Sequence, residues 1–121
     1  MIKILLVEDN SLLRDFLLIL LERNNFEVRS ASSRNELNIW LRTFTPDIIL
    51  LDVLLEEDSG RDICREMKET NKTISIILMS SNPQLLVDYN ECNADDIIEK
   101  PFKIDDVLAK IANVLVRKNL L

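Results

Sequence analysis

Three acids, a serine and a lysine of this 121-residue chain stand one or two residues after the end of a short apolar run. They are Glu8 and Asp9 after the first run, Asp52 after the third, Ser80 after the fourth and Lys100 after the fifth. Carboxylates crowded into one crevice repel each other, and one stays protonated unless a cation joins them. The set holds two more negative charges than positive ones, which one Mg²⁺ balances, and Mg²⁺ prefers oxygen ligands. The pattern therefore predicts a divalent-metal site.

Asp52 is the candidate nucleophile of this set, because a carboxylate can attack a phosphoryl group and form an aspartyl phosphate. The metal and Lys100 would stabilise charge on the oxygens of the transferring group, and Ser80 would donate a hydrogen bond to it. The backbone carbonyl of Leu54 is the best candidate for a further metal ligand. Taken singly, each residue has an ordinary structural explanation, such as a helix cap or a solvated charge. Only the set of five argues for a site.

The composition narrows the class of protein. A net charge of -6 with a pI near 4.7 disfavours direct binding to nucleic acid or to an anionic membrane. The chain has no histidine, so any phosphohistidine must belong to a partner. No apolar run approaches the ~20 residues of a membrane helix, and residues 1–7 are too short for a signal sequence. We expect a cytoplasmic protein in which Cys64 and Cys92 are buried thiols.

Short apolar runs alternate five times with longer amphipathic stretches, which predicts five strand–helix units. Ser33 and Glu36 match a capping box at the start of the second helix. The strand candidates are 2–7, 26–28, 48–51, 74–79 and 97–98, and the helix candidates begin near Ser11, Ser33, Gly60, Pro83 and Lys103. Such alternation is typical of a parallel sheet covered on both faces. The α/β doubly wound order 2-1-3-4-5 fits best, with ligands beyond the carboxyl ends of the strands.

Over all of residues 1–121, the chain resembles the response-regulator receiver domains of two-component signalling. Among these domains it is similar to the chemotaxis regulators. The motifs that carry the resemblance are Leu6-Val7-Glu8-Asp9-Asn10, Asp47-Ile48-Ile49-Leu50-Leu51-Asp52, Gly60, Met79-Ser80-Ser81 and Glu99-Lys100-Pro101-Phe102. The resemblance implies one domain with the flavodoxin-like (βα)5 three-layer sandwich.

The resemblance also implies roles for the site residues. Asp9 and Asp52 would bind Mg²⁺ directly and Glu8 through water, and Asp52 would accept a phosphoryl group from a partner's phosphohistidine. Ser80 and Lys100 would take the family's hydroxyl and lysine roles, and the Lys100–Pro101 peptide would be cis. The protein would then be a signalling switch that dephosphorylates itself slowly, rather than an enzyme acting on other substrates.

The implied partners are a sensor histidine kinase or a His-containing phosphotransfer protein, and a downstream effector or a fused output domain. A phosphorylation-dependent dimer is compatible with the resemblance. The chain ends at Asn119-Leu120-Leu121, where a linker to an output domain would begin. A stand-alone regulator and a receiver excised from a longer regulator both remain open.

Three positions depart from the family pattern. Glu56 stands where the family usually has proline, and this predicts a more acidic and more mobile loop after Asp52. Asn93 replaces the usual glycine of a Gly-Ala pair and can still take a left-handed turn conformation. Ile97 replaces the usual aromatic switch residue, so the output signal must take another route.

Two rival readings use the same fold class. A flavin-mononucleotide carrier would need a phosphate loop after the first strand, where Glu8 and Asp9 would repel the phosphate. A haloacid-dehalogenase-like phosphatase would place its nucleophile after the first strand in an Asp-x-Asp motif, and that spacing is absent. Stoichiometric labelling of Asp52 by a small phosphodonor separates a switch from a phosphatase, which would turn the donor over.

Overall fold

A computed structural model describes residues 1–120 as five strands, four α-helices and two short 3₁₀ helices. Leu121, the last residue of the tail considered above, lies outside the described residues. No helix within 1–120 is long and apolar enough to cross a membrane. The elements in chain order are β1 Lys3–Val7, α1 Ser11–Arg23, β2 Glu27–Ala31, α2 Arg34–Trp40, β3 Ile48–Asp52, α3 Gly60–Thr70, β4 Ser75–Ser80, the 3₁₀ helices Pro83–Leu85 and Tyr89–Cys92, β5 Asp96–Glu99, and α4 Ile104–Arg117.

The strands form one parallel sheet in the order β2-β1-β3-β4-β5, which confirms the predicted topology. The central strands β3 and β4 are buried along their whole lengths. This explains why they read as continuous apolar runs rather than as alternating ones, since a strand covered on both faces needs apolar side chains on both.

Two apolar layers cover the sheet, one on each face. One layer packs α1 and α4 against the sheet through residues such as Leu17 and Ile111, and the other packs α2 and α3 through residues such as Leu37 and Ile63. Cys64 and Cys92 lie in the second layer as free, buried thiols. Burial raises the pKa of the Cys64 thiol well above its ordinary value, and this disfavours the reactive thiolate.

Side-chain caps fix where the first two helices begin. The Asn10 side chain accepts a 3.0 Å hydrogen bond from the Leu13 N–H, and the Ser33 hydroxyl accepts one of 3.2 Å from the Glu36 N–H. The return half of the predicted capping box is displaced by one residue. The Glu36 carboxylate accepts from the N–H and hydroxyl of Ser32, not from Ser33.

The fourth crossover differs from the predicted strand–helix unit. We expected a short helix from Pro83 carrying Leu85, Leu86 and Tyr89, but the two 3₁₀ helices stand there instead. The Asn82 side chain accepts from the Gln84 N–H and caps the first of these 3₁₀ helices. Val87, Asp88 and Asn90 are weak helix formers. Within residues 1–120, four of the five predicted strand–helix units therefore contain an α-helix.

Candidate functional site

The register of the sheet brings the predicted residues together at its carboxyl edge. Val7 pairs with Leu51, so Glu8 and Asp52 follow side by side. Asp52 in turn pairs with Met79, the residue before Ser80. Across the next strand pair, Ser80 lies opposite Glu99, and its carbonyl accepts a 2.9 Å bond from the Lys100 N–H. The three acids, the hydroxyl and the lysine thus lie together at the carboxyl ends of four neighbouring strands.

Lys100 links two of the acids directly. Its Nζ lies 2.5 Å from Glu8 Oε1 and 3.1 Å from Asp52 Oδ2. Glu8 is only 1% exposed and Asp52 5%, whereas the Lys100 side chain is 17% exposed. The ammonium therefore lies at the mouth of the crevice, with the two carboxylates beneath it.

The electrostatics of the crevice favour an additional cation. Burial, and then the neighbouring Asp52 carboxylate, raise the pKa of Glu8 above its ordinary value, although Lys100 partly opposes the rise. Burial lowers the pKa of Lys100, but Glu8 and Asp52 outweigh it, so that pKa is raised overall. Lys100 therefore stays protonated, but its single positive charge does not offset the repulsion among the three carboxylates.

The three acids fit a small hard cation. Glu8, Asp9 and Asp52 each offer a carboxylate oxygen, and these oxygens lie within 4.8 Å of one another. Asp9 is exposed and leaves one side of the group open to solvent. Magnesium keeps several of its waters and is usually held by one or two carboxylates together with a phosphate. An all-oxygen group with one open side matches that preference.

Ser80 is buried beside the crevice and already makes a bond to the following segment. Its Oγ accepts a 3.0 Å hydrogen bond from the N–H of Asn82. This bond uses an oxygen lone pair and leaves the hydroxyl proton for another acceptor. The Ser80 hydroxyl can therefore donate to a group on Asp52 while it still accepts from the Asn82 N–H. Alternatively, it can turn toward that group and give up the bond from Asn82.

The loop after Asp52 is closed by a tight approach of the backbone. The Gly60 N–H donates a 2.7 Å bond to the Val53 carbonyl, and a Cβ at position 60 would lie 2.1 Å from the Asp52 carbonyl oxygen. Only glycine fits there, and this explains the single glycine of the chain. Glu56 lies exposed at the loop tip, and the Leu54 side chain is 58% exposed.

Two residues outside the predicted set also hold the site. The Asn10 N–H donates to Glu8 Oε2 at 3.2 Å, and Arg14 Nη1 donates to the Glu8 carbonyl at 2.9 Å. Asn10 was singled out only as a helix start. Arg14 gave no signal of its own, because an arginine in the second turn of an amphipathic helix usually belongs to the solvated face.

Two local features implied by the resemblance are present. The Lys100–Pro101 peptide is cis, and Asn93 has a left-handed backbone with φ of 67°. Ile97 is half-buried against the layer formed by α2 and α3.

Comparison with protein families and curated relatives gives a consistent result. Residues 4–112 match the family described as the response regulator receiver domain. The virulence transcriptional regulatory protein PhoP of Salmonella typhimurium is 30% identical over 121 residues, which cover 98% of this chain and 54% of the relative. The transcriptional regulatory protein PhoP of Escherichia coli K12 is 29% identical over 119 residues. The chain spans about half the length of these curated relatives.

Solved structures give the same picture. A response regulator receiver domain protein from Clostridium thermocellum superposes with a TM-score of 0.87 at 29% identity, covering 99% of this chain and 98% of that one. The response regulator TrrA of Thermotoga maritima, crystallised in complex with Mg²⁺-BeF, superposes with a TM-score of 0.86 at 25% identity, covering 95% of this chain and 100% of that one.

Proposed function

The chain belongs to the response regulator receiver domain family of two-component systems, and on that premise we propose that it is a switch phosphorylated on Asp52. The observation that carries the proposal is the crevice itself, where a buried carboxylate lies 3.1 Å from the Lys100 ammonium and beside two further acids. We take the domain to extend over residues 1–121 and to work in the cytoplasm, as a signalling partner of a kinase would.

Each residue then has a role in one transfer. The Asp52 carboxylate attacks the phosphorus, a new O–P bond forms, and the bond to the donor nitrogen breaks and leaves a neutral imidazole on the partner. Asp9 and Asp52 would hold Mg²⁺ directly, Glu8 through water, and the Leu54 carbonyl would complete the set. When bound, the metal supplies positive charge beside the phosphoryl oxygens. Lys100 would supply further positive charge, and Ser80 would donate a hydrogen bond.

This chain contains no histidine, so a phosphohistidine that donates to Asp52 must lie outside residues 1–121. A sensor histidine kinase or a His-containing phosphotransfer protein fits this requirement. The recipients of the signal are a downstream effector, a fused output domain or a second copy that dimerises on phosphorylation. The curated relatives are named as transcriptional regulatory proteins about twice this length, which is compatible with an output domain in the same chain.

Labelling with acetyl phosphate and Mg²⁺ tests the acceptor. Intact-mass measurement should show one added phosphoryl group on the wild type, none on Asp52→Asn, and none when EDTA removes the metal. Asp58→Asn, which neutralises an acid of the same loop, should label normally. Labelling of Asp52→Asn, or continuous hydrolysis of acetyl phosphate in place of a single modification, contradicts the proposal.

The lifetime of the phosphoryl group depends on access of water. In this family the positions two past the acceptor and two past the hydroxyl influence the attacking water, and here they are Leu54 and Asn82. Leu54 cannot orient water and shields the acyl phosphate, so self-dephosphorylation should be slow. Following the mass over time, Leu54→Asn should lose the group faster than wild type, whereas Val87→Asn, also at an exposed apolar site, should not. Equal rates for all three contradict the shielding.

The output signal starts at Ser80. Phosphorylation adds negative charge and three strong acceptors beside it, and a hydroxyl that turns toward them weakens its 3.0 Å bond to the Asn82 N–H. The segment of residues 81–95 can respond because it contains only short 3₁₀ helices. Its middle is held by α3, where Arg61 donates to the Asp88 carbonyl at 2.9 Å. Since Ile97 carries no ring to rotate, this segment is the route for the signal.

Amide NMR with a beryllofluoride mimic of the phosphoryl group tests this route. Shifts should extend from Asp52 and Ser80 through residues 81–95 and reach the start of α3. The same titration of Ser80→Ala should still shift the amides around Asp52 but should leave residues 83–91 unchanged. Shifts confined to the neighbourhood of Asp52 in the wild type contradict the route, while leaving the phosphorylation proposal intact.

A further inference from the structure

Arg14 lies in the second turn of α1 and reaches back to the turn that carries two of the acids. We define the β1–α1 turn as Glu8, Asp9 and Asn10. Arg14 Nη1 donates to the Glu8 carbonyl at 2.9 Å and lies 3.5 Å from the Asp9 carbonyl. The Arg14 side chain thus bridges from the helix to the turn before it.

The carbonyls of Glu8 and Asp9 receive no backbone hydrogen bond from the sheet or from the helix. The strand pairing ends with the Glu8 N–H, which donates to the Ala31 carbonyl at 3.0 Å. The helical bonding begins with the Asn10 carbonyl, which accepts from the Arg14 N–H at 2.9 Å. Between them, the Glu8 carbonyl has Arg14 as its partner, and buried or half-buried backbone groups require one.

The two acids of the turn are held to different degrees. Glu8 is fixed at every polar group, because its N–H, its carbonyl and both carboxylate oxygens have partners. The Asp9 carboxylate, by contrast, makes no hydrogen bond to a side chain or backbone group within residues 1–120. The position of its Cα and the direction of its Cα–Cβ bond are set by the backbone of the turn, and Arg14 is the side chain that holds this backbone from the helix side.

Arg14 is also a cation that forms no ion pair with these acids. No carboxylate oxygen in residues 1–120 lies within 4.0 Å of its guanidinium. Its hydrogen bonds go to carbonyl oxygens and leave the carboxylate oxygens available. Arg14 therefore does not neutralise the acids of the crevice.

We propose that Arg14 is a positioning residue for the metal, one that aims the Asp9 carboxylate by fixing the β1–α1 turn. The inference rests on the proposed Mg²⁺ site. It also makes a prediction whose sign is opposite to that of simple electrostatics. Removing a nearby positive charge should strengthen Mg²⁺ binding if charge alone matters, whereas removing a positioning contact should weaken it.

Mg²⁺ titrations by calorimetry separate the two effects. Arg14→Gln should weaken Mg²⁺ binding by about tenfold, the size typical of an outer partner of a metal ligand. Arg14→Lys keeps the charge but replaces the planar guanidinium, whose Nη1 reaches both carbonyls, with a flexible ammonium, and it should weaken binding less than Arg14→Gln does. Arg23→Gln, about 13 Å further along the same helix, removes an equal charge and should leave binding unchanged.

Melting in EDTA serves as the folding control, and both Arg14 variants should melt cooperatively within a few degrees of wild type. Unchanged or tighter Mg²⁺ binding by Arg14→Gln overturns the inference, because removal of the charge alone predicts that result. If the wild type binds no Mg²⁺, the proposed metal site itself fails, which is a separate outcome.

Discussion

Strand β5 has a buried lysine–carboxylate cluster at each end, and the two clusters differ in kind. Before the strand, Asp95 receives 2.7 Å and 2.8 Å hydrogen bonds from Lys68 Nζ and the Ile76 N–H. After the strand, Lys100 contacts both Glu8 and Asp52. The first cluster pairs one cation with one anion and adds a backbone donor. The second sets one cation against three acids once Asp9 is included.

The balance of charge separates the structural cluster from the functional one. A paired, hydrogen-bonded charge is tolerated in the interior, whereas an excess of like charge is costly unless a ligand supplies the rest. Burial, and then the neighbouring Asp52 carboxylate, raise the pKa of Glu8. A buried lysine alone therefore does not mark a site, but an uncompensated group of acids around one does.

The cluster around Lys68 belongs to a row of tethers on one face of α3. Arg61, Cys64 and Lys68 lie three and four residues apart, and each contacts a residue 27 or 28 positions further along the chain. Their partners are the Asp88 carbonyl, the Cys92 carbonyl and the Asp95 carboxylate. These contacts hold a crossover that lacks a regular helix, so the lysine's role is to stabilise the fold.

The largest effect should come from breaking the structural cluster. Lys68→Ala leaves the Asp95 carboxylate without its cation in a site where the lysine side chain is only 7% exposed. We expect the free energy of unfolding to fall by about 3 kcal/mol, the order found when one partner of a buried pair is removed. Urea denaturation measures the change.

Lys110→Ala is the matched control for this substitution. Lys110 Nζ lies 3.5 Å from Asp96, the residue next to Asp95, but its side chain is 36% exposed. Exposed pairs contribute little, so the loss should not exceed about 0.5 kcal/mol. If both alanine variants lose equally little, the Lys68 pair is not a structural anchor and the comparison fails.

Matched amide substitutions should have opposite signs at the two ends of β5. Asp95→Asn leaves Lys68 buried without its counter-charge and should destabilise the metal-free protein by about 2 kcal/mol. Glu8→Gln removes a carboxylate that is disfavoured where it lies, and should stabilise the metal-free protein by about 1 kcal/mol. Denaturation in EDTA at neutral pH measures both, and a loss of stability in Glu8→Gln contradicts the account of the crevice.

The pH dependence of stability sharpens the same contrast. Because the pKa of Glu8 is raised from 4.5, the folded protein binds this proton more tightly than the unfolded chain does. Its contribution to stability is therefore lost as the pH rises from about 4.5 through the raised pKa. Metal-free wild type should show this decline and Glu8→Gln should show less of it. A slope that is the same in both proteins would assign the decline to other groups.

Sequence patterns predicted that Glu8, Asp52 and Lys100 would lie together, but they gave no indication of the Lys68–Asp95 pair. Glu8, Asp52 and Lys100 each follow an apolar run, and parallel strands carry the residues that follow them to a common edge. Lys68 lies in the middle of a charged helix, where a lysine is ordinarily solvated. Nothing in the local sequence shows that this helix face turns toward Asp95, since the two residues meet only after β3, α3 and β4 have packed.

The fourth crossover shows a second limit of sequence reasoning. Pro83 and the leucines after it fit a helix, yet the energies that separate a short helix from 3₁₀ turns are small. They are decided by contacts such as the tether from Arg61 to the Asp88 carbonyl. Local propensity is a weak guide where tertiary contacts supply the hydrogen bonds.

The sequence by itself determined the sheet, its order and the residues at its carboxyl edge, because apolar periodicity and strand direction are encoded locally and combine by simple rules. Tertiary structure alone decided the remaining contacts of the charged side chains. It paired Lys68 with Asp95, turned Arg14 back onto the Glu8 carbonyl and left the fourth crossover without a helix. Ion pairs and carbonyl contacts depend on distances of a few ångströms between distant positions, and these distances exist only once the layers are packed.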